Sequence, residues 1–135
     1  MSRSGYTDDG EGIEELWRRT VINALRGKRG QRALRELLAA LDAMPTKALI
    51  AEEFEYEGQF CTLGTLCHAK GIDMSEIDPE DQEHAENVAV KLNIAPCMVQ
   101  EIEYMNDEWG PYTETPEQRW ERMRAWVASQ INDLA

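Results

Sequence analysis

The sequence predicts a mainly α-helical (α+β) protein, a compact bundle of five to six helices with one small β-hairpin. Apolar residues recur at helical spacing in several separate segments. Proline follows a capping residue at two predicted helix starts, Asp78-Pro79 and Thr115-Pro116. A Glu57-Gly58 pair separates two short strand-like segments. The length of 135 residues fits one domain, so we expect a flexible segment at residues 1–12 and a single globular helical domain at residues 13–135.

Two helices are predicted at the start of the domain. The first begins near Ile13 and ends at Arg26, and Gly27 suits the left-handed position that commonly follows a helix. The second covers about residues 31–43 and ends before Pro45, because the residue before a proline avoids the helical conformation. The apolar face predicted for the first helix consists of Ile13, Leu16, Trp17, Val21, Ala24 and Leu25.

Residues 48–62 predict the β-hairpin. Ile50, Phe54 and Tyr56 share one parity, as in a strand, and the Glu57-Gly58 pair is a turn signal. A helix that continues through residues 47–55 is the competing prediction. Four further helices are expected after the hairpin, and their predicted starts lie near Leu63, Asp78, Ile94 and Thr115.

The composition indicates a protein of the cytoplasm. No segment approaches the run of about 18 apolar residues that a membrane-spanning helix requires, and residues 1–5 lack the apolar stretch of a secretory signal. The odd number of cysteines shows no disulfide spacing, so we expect free, buried thiols at Cys61, Cys67 and Cys97.

Charge is distributed unevenly along the chain. The net charge is −12, and residues 51–115 alone carry sixteen Asp/Glu against two Lys/Arg. Residues 1–50 have a net charge of +2, and residues 116–135 are neutral. A surface with this excess of carboxylates repels free DNA and attracts a basic groove. The central segment therefore predicts an anionic binding surface.

Three groups of carboxylates supply this acidity, at residues 52–57, 73–86 and 101–108. Solvated helix faces are the plain interpretation. The alternative is one continuous patch that imitates phosphates and occupies the Lys/Arg sites of a nucleic-acid-binding protein. Trp109, in a Gly-Pro loop, is a candidate anchor. The predicted contacts with the partner are Glu52, Glu53, Glu55, Glu57, Glu80, Asp81, Glu83 and Trp109.

A basic turn between the first two helices is the second candidate site. The order helix, Gly27-Lys28-Arg29-Gly30, helix resembles the GXXG loop of KH domains, which clamps a nucleic acid backbone. KH domains place a strand before the first of these helices, and the segment here is short and polar. A helix turn with exposed bases, which meet acids of this chain or of a second copy in a homodimer, is the other interpretation. The candidate contacts are Arg26, Lys28, Arg29, Arg32 and Arg35.

Metal and nucleophile chemistry have weaker support in the sequence. The Cys61-x5-Cys67-His68 spacing matches no common zinc pattern, and no Asp/Glu pattern resembles a calcium loop or a two-metal site. We therefore expect no metal and no cofactor. A small hydrolase that uses Cys61 or Cys67 with a histidine remains a third hypothesis.

The chain also resembles a group of small proteins encoded by tailed bacteriophages and prophages. The motifs behind this resemblance span most of the chain: Arg26-Gly27-Lys28-Arg29-Gly30-Gln31, Leu34-Arg35-Glu36-Leu37-Leu38, Cys61-Thr62-Leu63-Gly64, Ile77-Asp78-Pro79-Glu80-Asp81, Asn106-Asp107-Glu108 and Glu114-Thr115-Pro116-Glu117 before Arg119-Trp120. The resemblance implies an accessory protein that acts in the bacterial cytosol, and it implies no activity and no catalytic residue.

These observations lead to the hypothesis of a non-enzymatic, acidic, phage-encoded binding protein. We expect its acidic surface to inhibit a basic host protein that handles nucleic acid or serves in defence, such as a CRISPR-type complex, by occupying it. Direct binding of nucleic acid or membrane is not expected. The alternative is a nucleic-acid-binding module that uses the basic turn at residues 26–35.

Overall fold

The computed structural model describes residues 3–4 and 13–132 of the chain. This part contains six helices and a two-stranded antiparallel sheet, which confirms the predicted fold class. Apart from Arg3 and Ser4, the segment predicted to be flexible lies outside the described residues. The elements are α1 (Ile13–Arg26), α2 (Lys28–Ala43), β1 (Glu55–Tyr56), β2 (Gln59–Phe60), α3 (Thr62–Ala69), α4 (His84–Leu92), α5 (Pro96–Asp107) and α6 (Pro116–Gln130).

One cluster of buried apolar side chains draws on all six helices. Leu34, Leu37 and Leu41 of α2 are fully buried, as their helical spacing predicts. Helix α5 is central, since it contacts α1, α3, α4 and α6. Among the described helices, none is both long and apolar enough to cross a membrane.

The corner between α1 and α2 differs from the prediction. Helix α2 begins at Lys28, three residues earlier than expected, and Gly27 is its N-cap with φ −68° and ψ 168°. The left-handed conformation predicted for Gly27 is therefore wrong, because an N-cap residue needs an extended backbone. Leu16 was predicted on the apolar face of α1, but 66% of its surface is exposed.

The hairpin is shorter than predicted but has the expected turn. Glu55 pairs with Phe60, and Tyr56 pairs with Gln59. Glu57 and Gly58 have φ values of 51° and 79°, as a tight turn with two left-handed central residues requires. The competing helix over residues 47–55 is wrong.

Helix α4 begins at His84, and the start predicted at Asp78 is wrong. The side chain of Asp78 accepts a hydrogen bond from the backbone N–H of Glu80 at 2.9 Å, and Asp81 accepts one from Glu83 at 2.9 Å. These hydrogen bonds satisfy the backbone N–H groups of Glu80 and Glu83 within two successive turns. The segment therefore does not need to form a helix. In contrast, the predicted capping box of Thr115 and Gln118 at the start of α6 is present.

Candidate partner-binding surface

All seven carboxylates predicted to contact a partner are exposed. Among the described residues, no Lys, Arg or His nitrogen lies within 4.0 Å of any of their oxygens. An acidic side chain without an internal cation keeps its full charge available to a partner. We call this set the acidic surface: Glu52, Glu53, Glu55, Glu57, Glu80, Asp81 and Glu83.

The third predicted group of carboxylates does not join this surface. Glu101 and Glu103 are 4% and 0% exposed, and Glu101 accepts a hydrogen bond from Arg18 at 3.0 Å. Asp107 pairs with Arg3, and Glu108 accepts a hydrogen bond from Ser4 at 2.7 Å. The expectation of one patch built from all three groups is therefore wrong. Glu101 and Glu103 are buried on α5, whereas Glu108 follows the helix and is exposed, and all four carboxylates of the group make contacts within the fold.

A shallow groove connects the first two groups of carboxylates. It has a volume of about 170 Å³ and lies between the residues that lead into the hairpin and the segment that precedes Glu80. Glu53 and Glu55 stand at its edge, and Phe54, which is 4% exposed, lines it between them. The other lining residues are Met74, Ser75, Ile77 and Pro79.

A buried ion pair anchors the segment that carries Glu80, Asp81 and Glu83. The His84 ring directly follows these residues, and its Nε2 atom lies 2.8 Å from Oε2 of Glu103. Its Nδ1 atom lies 2.8 Å from the carbonyl oxygen of Asp81, so Nδ1 must carry a proton. Since Nε2 faces a carboxylate, the His84–Glu103 pair holds one further proton between its members. The anchor therefore depends on protonation.

Both members of this pair bind protons more strongly than usual. Burial raises the pKa of the Glu103 carboxyl, and this exceeds the opposing effects of His84 and Arg3. Burial by itself lowers the pKa of His84, but the hydrogen bond and the charge of Glu103 raise it above its ordinary value. The shared proton is therefore retained to higher pH than in an exposed histidine.

Arg3 and Ser4, near the start of the chain, pack beside the His84–Glu103 pair. The guanidinium of Arg3 donates to both carboxylate oxygens of Asp107, at 2.6 and 3.0 Å, and its side chain is 4% exposed. Its Cζ atom lies 5.1 Å from the centre of the Phe54 ring. Ser4 is fully buried beside it. Residues 3 and 4 therefore differ from the flexible segment that the sequence predicts.

Trp109 is exposed, as an anchor for a partner would be. Of its surface, 62% is exposed, and its ring makes an edge contact with Tyr104 at 6.2 Å between ring centres. It follows Asp107 by two residues and so lies near the Arg3 contact. Tyr112 in the same loop is 99% exposed and is a further aromatic candidate that was not predicted from the sequence.

The basic turn is not a loop of the KH kind. Lys28, Arg29 and Gly30 form the first turn of α2, and Gly30 is buried against the backbone of α1. The five basic side chains are all exposed. Arg29 donates to Oδ1 of Asn93 at 3.2 Å, and Arg35 donates to the carbonyl oxygen of Asn132 at 3.0 Å. Within residues 3–4 and 13–132, Arg26, Lys28 and Arg32 have no carboxylate within 4.0 Å.

The cysteines are free and buried, as predicted. Burial raises the pKa of Cys67 to about 12, so this thiol stays protonated and is a poor nucleophile. His68 is exposed, and its ring stacks against Phe60 with 4.6 Å between ring centres. In the described part of the chain, no group of three or more His, Cys, Asp and Glu side chains is arranged to hold a metal ion.

The buried ionic network of Arg3, His84, Glu103 and Asp107 was not predicted from the sequence. A weak signal was present, because Glu103 lies four residues after Val99 and His84 lies four residues before Val88. Both polar residues thus fall on apolar helix faces. The 104 residues that separate Arg3 from Asp107 leave no local pattern for that contact.

Comparison with known proteins gives no match to a family model, a curated protein or a solved structure. Functional inference therefore depends on the geometry of the acidic surface and its surroundings.

Proposed function

We propose that this chain is a non-enzymatic acidic binding protein. It inhibits a protein of the bacterial host that handles nucleic acid or serves in defence, by occupying that protein's basic surface. The observation that supports this most is the acidic surface itself, seven exposed carboxylates with no cation within 4.0 Å among the described residues and a shallow groove between two of its parts. The resemblance to phage accessory proteins supports the bacterial setting.

Several other carboxylates differ from the acidic surface because they pair with arginines of this chain, as in Asp42 with Arg124 and Glu114 with Arg122. Within the described part of the chain, no ion pair of the acidic surface has to be broken before it meets a basic partner. Its field attracts such a partner over about 8 Å at physiological salt and weakens as salt rises.

An exposed aromatic side chain adds a contact that carboxylates alone lack. Charged groups at the rim of an interface mainly set the rate and specificity of association, whereas a central apolar contact contributes more affinity. The ring of Trp109, which is 62% exposed, is available for that contact. The partner is therefore a basic protein with an apolar or aromatic side chain among its Lys and Arg residues.

Charge reversal tests this proposal. We expect Glu55→Lys/Glu80→Lys/Glu83→Lys to weaken capture of the basic host partner by about 100-fold, at roughly 1 kcal/mol for each lost contact. The measurement is affinity capture from host cytosol with elution by a salt gradient, followed by titration of the captured protein.

The matched control reverses three exposed carboxylates outside the acidic surface. Glu15→Lys/Glu117→Lys/Glu121→Lys changes the net charge by the same amount and should leave capture within about threefold of wild type. Both variants should keep the helical circular dichroism spectrum. Equal loss of binding in both variants would reject this surface and leave only a general effect of charge.

A nucleic-acid-binding module remains the second candidate. The exposed side chains of Arg26, Lys28 and Arg32, which have no carboxylate nearby in the described structure, favour it. In that case the acidic remainder of the molecule would keep the rest of the surface off the duplex.

A further inference from the structure

The contact of Arg3 has the features of a built guanidinium-binding slot. Asp107 receives two parallel hydrogen bonds at 2.6 and 3.0 Å, and Glu103 lies 3.8 Å from Nε of the same guanidinium. The ring of Phe54 covers the planar group at 5.1 Å. Paired acceptors and an aromatic face are the environment that an arginine prefers over a lysine.

The walls of this slot are fixed by contacts that do not involve Arg3. Oδ1 of Asp107 also accepts hydrogen bonds from the side-chain amide of Asn106 at 2.8 Å and from the backbone N–H of Glu52 at 3.0 Å. Glu52 has a left-handed φ of 69°, a strained conformation that turns its N–H toward the slot. Glu103 is held by His84. The slot is therefore organised before any guanidinium enters it.

The resident guanidinium does not use the slot completely. Nη1 of Arg3 is buried and has no hydrogen-bond partner in the described structure. Such a donor is costly to leave unpaired. Arg3 therefore binds less favourably than an arginine of a partner would, if the partner also supplied a hydrogen-bond acceptor for Nη1.

The slot is continuous with the acidic surface. Phe54 covers the guanidinium and also lines the groove between Glu53 and Glu55. Glu52 belongs to the acidic surface and donates its N–H to Asp107, and the exposed Trp109 follows two residues after Asp107. A basic segment with one arginine in the slot would place its neighbouring cations along the carboxylates.

We propose that this slot binds an arginine side chain of the basic partner and that Arg3 is its intramolecular occupant. The identity of the occupant rests on the proposed function. Arg3 thus competes with the partner until the partner's arginine, supported by contacts along the acidic surface, displaces it.

The slot can be tested without the partner. Nitrogen-15 NMR spectra of wild type, Arg3→Ala and Arg3→Lys are recorded during titration with N-acetyl-L-arginine amide, and the amide of Glu52 reports on the slot. We expect saturable binding with a Kd near 1 mM in both variants, and binding at least tenfold weaker in wild type. N-acetyl-L-lysine amide and N-acetyl-L-citrulline amide, which lack the charged fork, should leave the Glu52 signal unchanged.

Three results would overturn this proposal. They are the absence of saturable binding up to about 20 mM in folded variants, an equal response to the lysine probe, and the loss of the folded spectrum in both variants, which would make Arg3 an obligatory part of the core. Capture of the host partner distinguishes this inference from the proposed function. If Glu55→Lys/Glu80→Lys/Glu83→Lys abolishes capture while Arg3→Lys does not strengthen it, the acidic surface binds the partner and the slot does not.

Discussion

At the scale of single residues, the His84–Glu103 pair has the largest effect on the stability of the fold. Both side chains are almost fully buried, and each nitrogen of the ring faces an oxygen acceptor. The pair therefore holds two protons, one on Nδ1 and one between Nε2 and the Glu103 carboxylate. A neutral histidine beside a carboxylate would hold only one. A buried pair of this kind is costly to break, at about 3–5 kcal/mol when one partner is removed.

This pair predicts that stability falls as pH rises. The pKa of His84 and that of Glu103 are both raised in the folded state. The contribution of His84 is therefore complete below the unfolded pKa of histidine, about 6.5, and is lost as pH rises through its folded pKa. The raised pKa of Glu103 acts in the same direction, and its contribution begins to be lost above the unfolded pKa of glutamate, about 4.3. We expect the free energy of unfolding to decrease by about 1–2 kcal/mol between pH 6.5 and pH 9, as measured by urea denaturation.

Glu103→Gln and His68→Asn separate this effect from other titrations. Glu103→Gln should lower stability and flatten the pH dependence, because the amide cannot share the proton. His68→Asn changes an exposed histidine and should keep the slope of wild type. A wild-type stability that increases over this pH range would contradict the assignment of a shared proton.

At the scale of elements, the corner between α1 and α2 depends on one glycine. A Cβ atom on Gly30 would lie 1.9 Å from the carbonyl oxygen of Ala24. The two helices therefore approach more closely here than any other residue allows. Gln31 strengthens the corner, since its side-chain amide donates to the carbonyl oxygens of Leu25 at 2.8 Å and Gln130 at 2.9 Å.

Gly30→Ala should therefore destabilise the protein, although alanine favours a helix. We expect a loss of about 1–3 kcal/mol in the free energy of unfolding, because the helices must move apart. Gly27→Ala is the matched control, since Gly27 has a backbone conformation open to alanine and a Cβ atom there would lie 3.3 Å from the carbonyl oxygen of Asn23, a much longer distance than at Gly30. Its loss should be about 1 kcal/mol or less. A stabilised Gly30→Ala variant would show that the helices do not approach this closely.

At the scale of the whole molecule, some carboxylates stabilise the fold through internal ion pairs and others face solvent. Carboxylates on α5 and Glu114, which precedes α6, pair internally, whereas those of the hairpin and of residues 80–83 face solvent without a cation in the described structure. Five exposed bases lie near the start of α2, at Arg26, Lys28, Arg29, Arg32 and Arg35. A molecule of net charge −12 is repelled by a polyanion except through that small basic region.

We therefore expect no binding of free duplex DNA or RNA. The measurement is an electrophoretic shift assay at about 50 mM salt, where phosphate contacts are strongest. A shift that disappears in Lys28→Glu/Arg29→Glu would instead support the nucleic-acid-binding module. A shift that both proteins share would place nucleic acid contacts elsewhere on the molecule.

What the sequence by itself determined about this protein is its local structure. The ends of α1, the capping box of α6, the Glu57-Gly58 turn and the buried faces of α2 and α5 follow from periodicity, capping and turn chemistry within a few residues. Exposure of the seven carboxylates also followed from their local setting. Spacing alone could not exclude a helix start at Asp78, because Asp-Pro begins helices and local turns alike.

Only the tertiary structure decided which polar groups meet. Arg3 and Asp107 are 104 residues apart, and His84 and Glu103 lie on different helices. Their pairing depends on how α4 and α5 pack around Phe54, and no local pattern encodes that arrangement. The same packing turned the third group of carboxylates into internal contacts, because a buried charge must find a partner wherever the fold supplies one.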